Sequence, residues 1–438
     1  MHPPLTSGLS RQPWSVPGVA VAGRWLFLGA VLLMVTGDGP ATTLRVASWP
    51  TPAPVLAWAW LYLLVMVVSV VAIAAGGGFR SFVPAGMRSL STPLVLLLST
   101  FLLSAAFSQV RALSAMAFLT ILGIVAFCWV VALLLEDDRL VAMLWPVLAI
   151  AILLLAVRVI IWRLDEGVNV MALHVLNNTW VGKLQLAWVF NLFAPLLLAR
   201  YLGERSRGLA TLHAIAWASA GAATYLLFSR IGSVVFALTT LGVCLANFAY
   251  WRKWIVIMVV GLGLGLLLFD QSVKMSRYIV TTLVEVDRNP GVAMRLGIWR
   301  DAVRMFTDHP IVGIGIGTYD DVAYAVPGST AVRDFYRHGW HAHNVYLHVL
   351  VEAGILGLLA WGYFWYTIVA RLARAWRRAD PRGRVVATGA LAAVLAFLTL
   401  SLTEVLIGAR VEASLRMNLT LGLVVVLGLR MTTVDQRT

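Results

Sequence analysis

Four histidines lie close together at the end of a long polar stretch, just before an apolar run: His338, His341, His343 and His348. An imidazole titrates near ~6.5, so it can accept a proton from a hydroxyl group close to neutral pH. His-x-His spacing can also ligate zinc, with Asp320 or Asp321 as a further ligand. Histidines at a membrane interface can also lack any chemical role. The residue types therefore leave a general base, a metal site and interfacial histidines open.

Arginines form a second group that could bind an anion. Arg230 ends an apolar run, where a charge deep in lipid costs up to roughly 3 kcal/mol. It therefore reaches the headgroups or faces a cavity that holds an anion. Arg295, Trp299 and Arg300 have helical spacing, which predicts either a cationic stripe beside an aromatic ring or a solvated helix face.

A carboxylate and several glycines flank these residues. Glu352 opens the apolar run that follows the histidines, where it can orient a histidine or pair with an arginine. Pro310 is followed by Gly313, Gly315 and Gly317. These glycines do not have the G-x-G-x-x-G spacing of a dinucleotide loop, so they predict a tight turn that lets the backbone pack closely.

The composition is that of a helical membrane protein. Of 438 residues 60% are hydrophobic and only 12% are charged, about half the charged fraction of a soluble domain. The apolar runs are long and do not alternate, which predicts spanning helices. The net charge of +14 is scattered between these runs, which argues against nucleic-acid binding. The two cysteines lie inside apolar runs and fit a packing role.

About 12 spanning helices are expected, with one large outer loop that contains short helices. Their centres are predicted near Val31, Val65, Leu98, Val125, Ile150, Phe193, Trp217, Leu238, Val259, Leu359, Ala393 and Leu423. Loops on the side of the termini carry more than twice as many basic residues as the short loops opposite, so the termini are expected in the cytoplasm.

The predicted organisation has five parts. Residues 1–24 form a cytoplasmic tail, 25–269 hold the first nine spans, 270–343 form the periplasmic loop, 344–430 hold the last three spans and 431–438 form a second cytoplasmic tail. This topology puts Arg230 and the histidines on one face of the membrane.

The sequence resembles the O-antigen ligase and polymerase superfamily of lipid-linked glycan transferases. The resembling segments are Ser229-Arg230, Arg295 with Trp299, Pro310 with Gly313 and Gly315, and, most specifically, His343-Asn344-x-x-Leu347 followed by Glu352-x-Gly354. The resemblance implies an active site at the periplasmic face of the bacterial inner membrane. It also implies a donor glycan linked to undecaprenyl diphosphate and a metal-independent, inverting transfer without a cofactor.

Site residues follow from the resemblance combined with this chemistry. His343 is expected to act as the base, with Arg230 and Arg295 on the diphosphate. Arg300, Lys274, Asn344 and Glu352 are second-tier candidates.

The resemblance also bears on the acceptor. Polymerases of the superfamily often have two sizeable outer loops, whereas this sequence has one, which favours a ligase that transfers O-antigen to lipid A–core oligosaccharide. An O-antigen polymerase, a protein O-oligosaccharyltransferase and a non-enzymatic transporter of anionic lipid stay open as alternatives.

Overall fold

The computed structural model describes residues 17–36, 52–75, 84, 90–166, 183–227, 229–250, 252–253, 261, 290–326, 341–405 and 412–434. These residues form helices, with no strand among them. The helices are α1 (Pro17–Thr36), α2 (Pro52–Ala75), α3 (Ser91–Ala106), α4 (Arg111–Leu134), α5 (Asp138–Glu166), α6 (Lys183–Gly203), α7 (Arg207–Leu226), α8 (Arg230–Ala246), α9 (Pro290–Asp308), α10 (Tyr319–Ala325), α11 (Val345–Arg378), α12 (Pro381–Leu400) and α13 (Glu412–Val434), with a 3₁₀ turn at Phe248–Tyr250.

The all-helical class predicted from the apolar runs is confirmed for these residues. Within the described ranges, six helices are long and apolar enough to cross a membrane, and shorter apolar helices accompany them. The predicted span centres fall inside helices, apart from Val259, which lies outside the described residues. The count of 12 spans and the periplasmic position of the loop stay predictions.

The first helix differs from the predicted boundary. It begins at Pro17, so Arg24 lies inside α1 rather than at the end of a tail. Arg24 has a partner on another element: its Nε donates to Asp137 Oδ2 at 2.7 Å, and both side chains are largely buried. The charge is neutralised within the bundle, so it does not interrupt the helix.

Helices α6 and α12 form the central pair of the bundle. The space for a side chain at Gly389 of α12 is taken by Ala199 and the Pro195 carbonyl oxygen of α6, so the two backbones approach closely. At the other end of the pair, Trp188 packs edge-on against Phe397, with 5.7 Å between ring centroids. The two helices therefore run antiparallel, with the start of α6 beside the end of α12.

A kink at Gly354 joins α11 to the glycine segment, residues 310–317, which precedes α10. Gly354 has φ +66° and ψ −169°, which breaks the helical hydrogen bonding. The freed carbonyl oxygens of Val351 and Glu352 accept from Ile314 N and Gly315 N, each at 3.0 Å. A side chain at Gly313 would overlap the Glu352 backbone. The close packing predicted for the glycines is confirmed, and it holds the start of α11 in place.

Candidate functional site

The predicted base lies in a short loop at the start of α11. Asn344 is the N-cap of this helix, and its side-chain oxygen accepts from Leu347 N at 3.1 Å. His343, just before the cap, has φ +48°, an uncommon conformation for a residue with a side chain. Val345 N donates to the Ser401 carbonyl oxygen at 2.8 Å. This bond brings the segment after α12 next to the histidines.

Glu404, in that segment, meets two of the histidines. Its Oε1 lies 3.0 Å from His343 Nδ1 and 3.2 Å from His341 Nε2. The two imidazole rings are 4.2 Å apart between centroids. Glu404 is only 3% exposed, whereas both histidine side chains keep some contact with solvent. A buried carboxylate thus anchors two partly buried imidazoles.

The hydrogen bonds indicate which ring nitrogens carry protons. His341 Nδ1 accepts from His343 N at 3.2 Å, so the proton of neutral His341 is on Nε2, facing Glu404. Burial lowers the pKa of His341 to about 4, and the charges of His343, His348 and Arg295 act in the same direction against Glu404. His341 is therefore neutral near neutral pH and donates one N–H to the carboxylate.

Glu404 is ionised in this arrangement. Burial by itself raises its pKa, but the hydrogen bond from His343 and the nearby imidazoles outweigh burial and lower the pKa below its ordinary value. An ionised Glu404 accepts the Nδ1 proton of His343. That leaves His343 Nε2 with a lone pair, which is what a general base requires.

The same three residues have the spacing of a possible metal site. Their ligand atoms lie within 4.8 Å of one another, and the carboxylate is Glu404 rather than Asp320 or Asp321. A histidine bound to a metal almost always donates its second ring N–H to an acceptor. His341 Nδ1 instead faces the backbone N–H of His343. The donor set therefore fits two N–H bonds to a carboxylate better than a divalent cation.

Arg295 lies beside this cluster, on helix α9. Trp299, one turn further along α9, donates from Nε1 to the Ala342 carbonyl oxygen at 2.8 Å, which fixes the helix against the histidine loop. The Arg295 charge is close enough to lower the pKa of His341. Arg295 Nε is buried and has no hydrogen-bond partner among the described residues. A buried guanidinium N–H beside the base is a donor suited to an anionic ligand.

Arg230 lies at the same end of the bundle. It begins α8, after the Ser229 cap that accepts from Gly232 N. A Cβ at Gly232 would lie 3.3 Å from Ala187, at the start of α6. The start of α6 packs beside the end of α12, and Glu404 follows that end. The structure thus brings Arg230 to the end of the bundle that holds His343, without a direct contact being shown between the two.

The four second-tier candidates have different positions and contacts. Arg300 is exposed on α9, and Lys274 lies outside the described residues. Asn344 has the capping role described above. Glu352 lies 3.5 Å from His348 and accepts from Tyr319 N at 3.1 Å, so it partners a histidine other than the predicted base.

Glu404 was missed by the sequence reasoning. It is separated from His343 by two long apolar runs, and nothing in the intervening spacing joins them. The only available signal was a carboxylate at the end of an apolar run, where a buried charge needs a partner.

Together, the fold and the site define a bundle of membrane-type helices that holds a histidine–carboxylate pair beside an arginine whose Nε is buried. Residues 213–362 match the model of the family described as O-antigen ligase, which confirms the resemblance to the O-antigen ligase superfamily. This family comprises glycosyltransferase-like enzymes of lipid-linked glycans. The matched range includes Arg230, Arg295 and His343, and Glu404 lies beyond it. A search of curated proteins finds no match to the chain.

Proposed function

We propose that this protein is an O-antigen ligase that moves O-antigen polysaccharide from undecaprenyl diphosphate to a hydroxyl group of lipid A–core oligosaccharide. The observation that carries the proposal is the buried Glu404 that holds His343 by Nδ1, next to Arg295 Nε, which has no hydrogen-bond partner in the part of the chain that the structure describes. Because a glycosyl diphosphate is already activated, such a transfer needs two groups: a base for the acceptor hydroxyl and a cationic hydrogen-bond donor for the departing diphosphate.

The reaction is a single displacement at the anomeric carbon. His343 Nε2 takes the proton of the acceptor hydroxyl while its oxygen forms the new glycosidic bond. The bond from the anomeric carbon to the diphosphate oxygen breaks, and the lipid diphosphate leaves with the electron pair. The anomeric centre is inverted. Glu404 stabilises the imidazolium through Nδ1 and keeps the ring in orientation, as a carboxylate does in a hydrolase triad.

The arginines offset the charge that develops on the leaving diphosphate. At ~4 Å and an effective dielectric constant of ~20, one arginine–phosphate pair is worth about 4 kcal/mol. Expressed mainly in the transition state, this is roughly a thousandfold in rate. Arg295 is the first donor, and Arg230, at the same end of the bundle, is the second. Two guanidinium groups supply bidentate hydrogen bonds without a metal.

The proposed place of the reaction is the periplasmic face of the bacterial inner membrane. The support is the bias of basic residues toward loops on the side of the termini. The test of the site itself is His343→Ala, which we expect to abolish transfer while the protein still reaches the membrane at its normal level.

The assay supplies purified lipid-linked O-antigen with lipid A–core in detergent and follows the product on a gel. His309→Ala is the matched control, because His309 directly follows α9 and its ring contacts Gln109 at 3.1 Å near the surface. The control should keep full activity. Normal capped lipopolysaccharide from His343→Ala would remove His343 from the mechanism. Chain extension on the carrier by the unaltered protein would instead identify a polymerase, and transfer to a serine or threonine peptide would identify a protein-directed transferase.

A further inference from the structure

The ring of His341 connects the backbone of the predicted base to the carboxylate of the same base. Its Nδ1 accepts from the backbone N–H of His343 at 3.2 Å, and its Nε2 lies 3.2 Å from Glu404 Oε1. The same carboxylate oxygen lies 3.0 Å from His343 Nδ1. His341, His343 and Glu404 therefore form a contact triangle that holds both the main chain and the side chain of His343.

The backbone of His343 needs such a support. Its φ is +48°, a conformation that a residue with a side chain keeps only when its surroundings hold it. The chain after His343 is held by the Asn344 cap and by the bond from Val345 N to the Ser401 carbonyl oxygen. The N–H of His343 itself is held by His341. Loss of this bond would let the backbone relax and turn the imidazole of the base.

The segment is also fixed from a third side. Ala342, between the two histidines, is fully buried, and its carbonyl oxygen accepts from Trp299 Nε1 at 2.8 Å. Trp299 belongs to α9, the helix that carries Arg295. The contact triangle is thus joined to the helix of the proposed diphosphate ligand, so it holds the base in a defined place relative to Arg295.

His341 is suited to holding the base and not to replacing it. Its side chain is about as exposed as that of His343, at 25% against 19%. Both of its ring nitrogens face a partner, whereas the contacts shown by the described residues engage only Nδ1 of His343. Burial lowers the pKa of His341 to about 4, so the ring is neutral and offers one acceptor and one donor nitrogen.

We propose that His341 is a positioning residue of the transfer reaction: it holds the backbone N–H and the carboxylate partner of His343, and thereby keeps His343 Nε2 directed toward the acceptor hydroxyl. The inference rests on the proposed function and adds a residue that acts through the base without contacting either substrate. Its effect should therefore appear in kcat, because the direction of Nε2 matters when the proton is transferred and not when the donor binds.

Three substitutions separate the two contacts of His341. His341→Asn places an amide oxygen close to the position of Nδ1 and keeps the acceptor for His343 N, whereas His341→Gln places an amide nitrogen close to Nε2 and keeps the donor to Glu404. His341→Ala removes both. We expect the first two to lower kcat about fivefold each and His341→Ala about 25-fold, since one hydrogen bond is lost in the former and two in the latter. The KM for the lipid-linked donor should stay close to that of the unaltered protein.

The control is His309→Ala, which removes an imidazole outside the contact triangle and should leave kcat unchanged. Full kcat in His341→Ala would overturn the proposal. So would His341→Asn and His341→Gln that are no better than His341→Ala, because the bonds would then be irrelevant. A higher KM at unchanged kcat would overturn it too, because His341 would then contact the substrate.

A second test needs neither activity nor a substitution. Diethyl pyrocarbonate acylates a neutral imidazole at a nitrogen whose lone pair is free, and mass spectrometry of peptides locates the label. His343 should be acylated first and His341 protected, although the two side chains are similarly exposed. Acylation of His341 as fast as that of His343 would overturn the proposal. Protection of His341 in a protein that transfers no glycan would support the contact triangle and overturn the ligase assignment.

Discussion

Glu404→Gln tests the central element of the site, because the substitution keeps the size of the side chain and removes its charge. In the structure Glu404 Oε1 lies 3.0 Å from His343 Nδ1 and 3.2 Å from His341 Nε2. A glutamine oxygen in the place of Oε1 can still accept both N–H bonds. Its amide group, in the place of Oε2, would lie 3.2 Å from His343 Nδ1, donor against donor.

The expected magnitude follows from these bonds. A hydrogen bond to a charged group contributes about 1.5–3 kcal/mol, which corresponds to a loss of about 10- to 150-fold in kcat. The loss appears in kcat because the carboxylate stabilises the imidazolium that forms only as the acceptor proton arrives. The KM for the lipid-linked donor should stay close to that of the unaltered protein, since Glu404 does not contact the diphosphate in this mechanism.

The assay is steady-state transfer to lipid A–core with purified protein, beside a thermal melt in detergent. Glu136→Gln is the matched control, because Glu136 follows α4 at the opposite end of the bundle. The control should keep its activity. A correctly folded Glu404→Gln protein with unchanged kcat would refute the role assigned to the carboxylate, and with it the assignment of Nδ1 as the proton-bearing nitrogen of His343.

Further substitutions probe the groups around this pair. Arg295→Lys should lower kcat/KM for the donor at least about tenfold, because a lysine cannot reproduce the guanidinium fork; an unchanged value would remove Arg295 from the diphosphate site. Trp299→Phe breaks the bond to the Ala342 carbonyl oxygen and should lower kcat about fivefold, the equivalent of ~1 kcal/mol. Gly354→Ala should lower the melting temperature, since φ is +66° there and a side chain would overlap the Ile311 backbone. Melts at decreasing pH test His341, whose pKa falls from 6.5 to about 4 on folding. The unfolded chain binds the proton more readily, so stability is retained above pH 6.5 and should fall by about 3 kcal/mol as the pH drops from 6.5 to 4, with no further loss from this group below 4. His341→Gln should flatten that dependence, and an equally steep loss in the variant would place its cause elsewhere.

The local parts of the fold and the site were predictable from the sequence because their signals are local. Apolar runs predicted the helices, and the spacing of Arg295 and Trp299 predicted a helix that the structure has as α9. The glycines after Pro310 predicted close backbone packing. The spacing could not predict which backbone these glycines pack against. That backbone is the kink at Gly354 in α11, and only folding brings the free carbonyl oxygens of the kink to Ile314 and Gly315.

The same limit explains why Glu404, rather than Glu352, is the carboxylate beside His343. Glu352 is close to the histidines in sequence, and at helical spacing it is one turn from His348, so it pairs with that residue. His343 precedes the helix and has a left-handed backbone conformation, so it does not lie on the helix face that carries His348 and Glu352. A carboxylate for His343 must therefore come from another element. The bond from Val345 N to the Ser401 carbonyl oxygen places the end of α12 there, which makes Glu404 the residue whose burial is compensated by the two imidazoles. The base and its carboxylate are thus positioned by helix packing, and a change that moves α12 against α11 should impair transfer even when both side chains are intact.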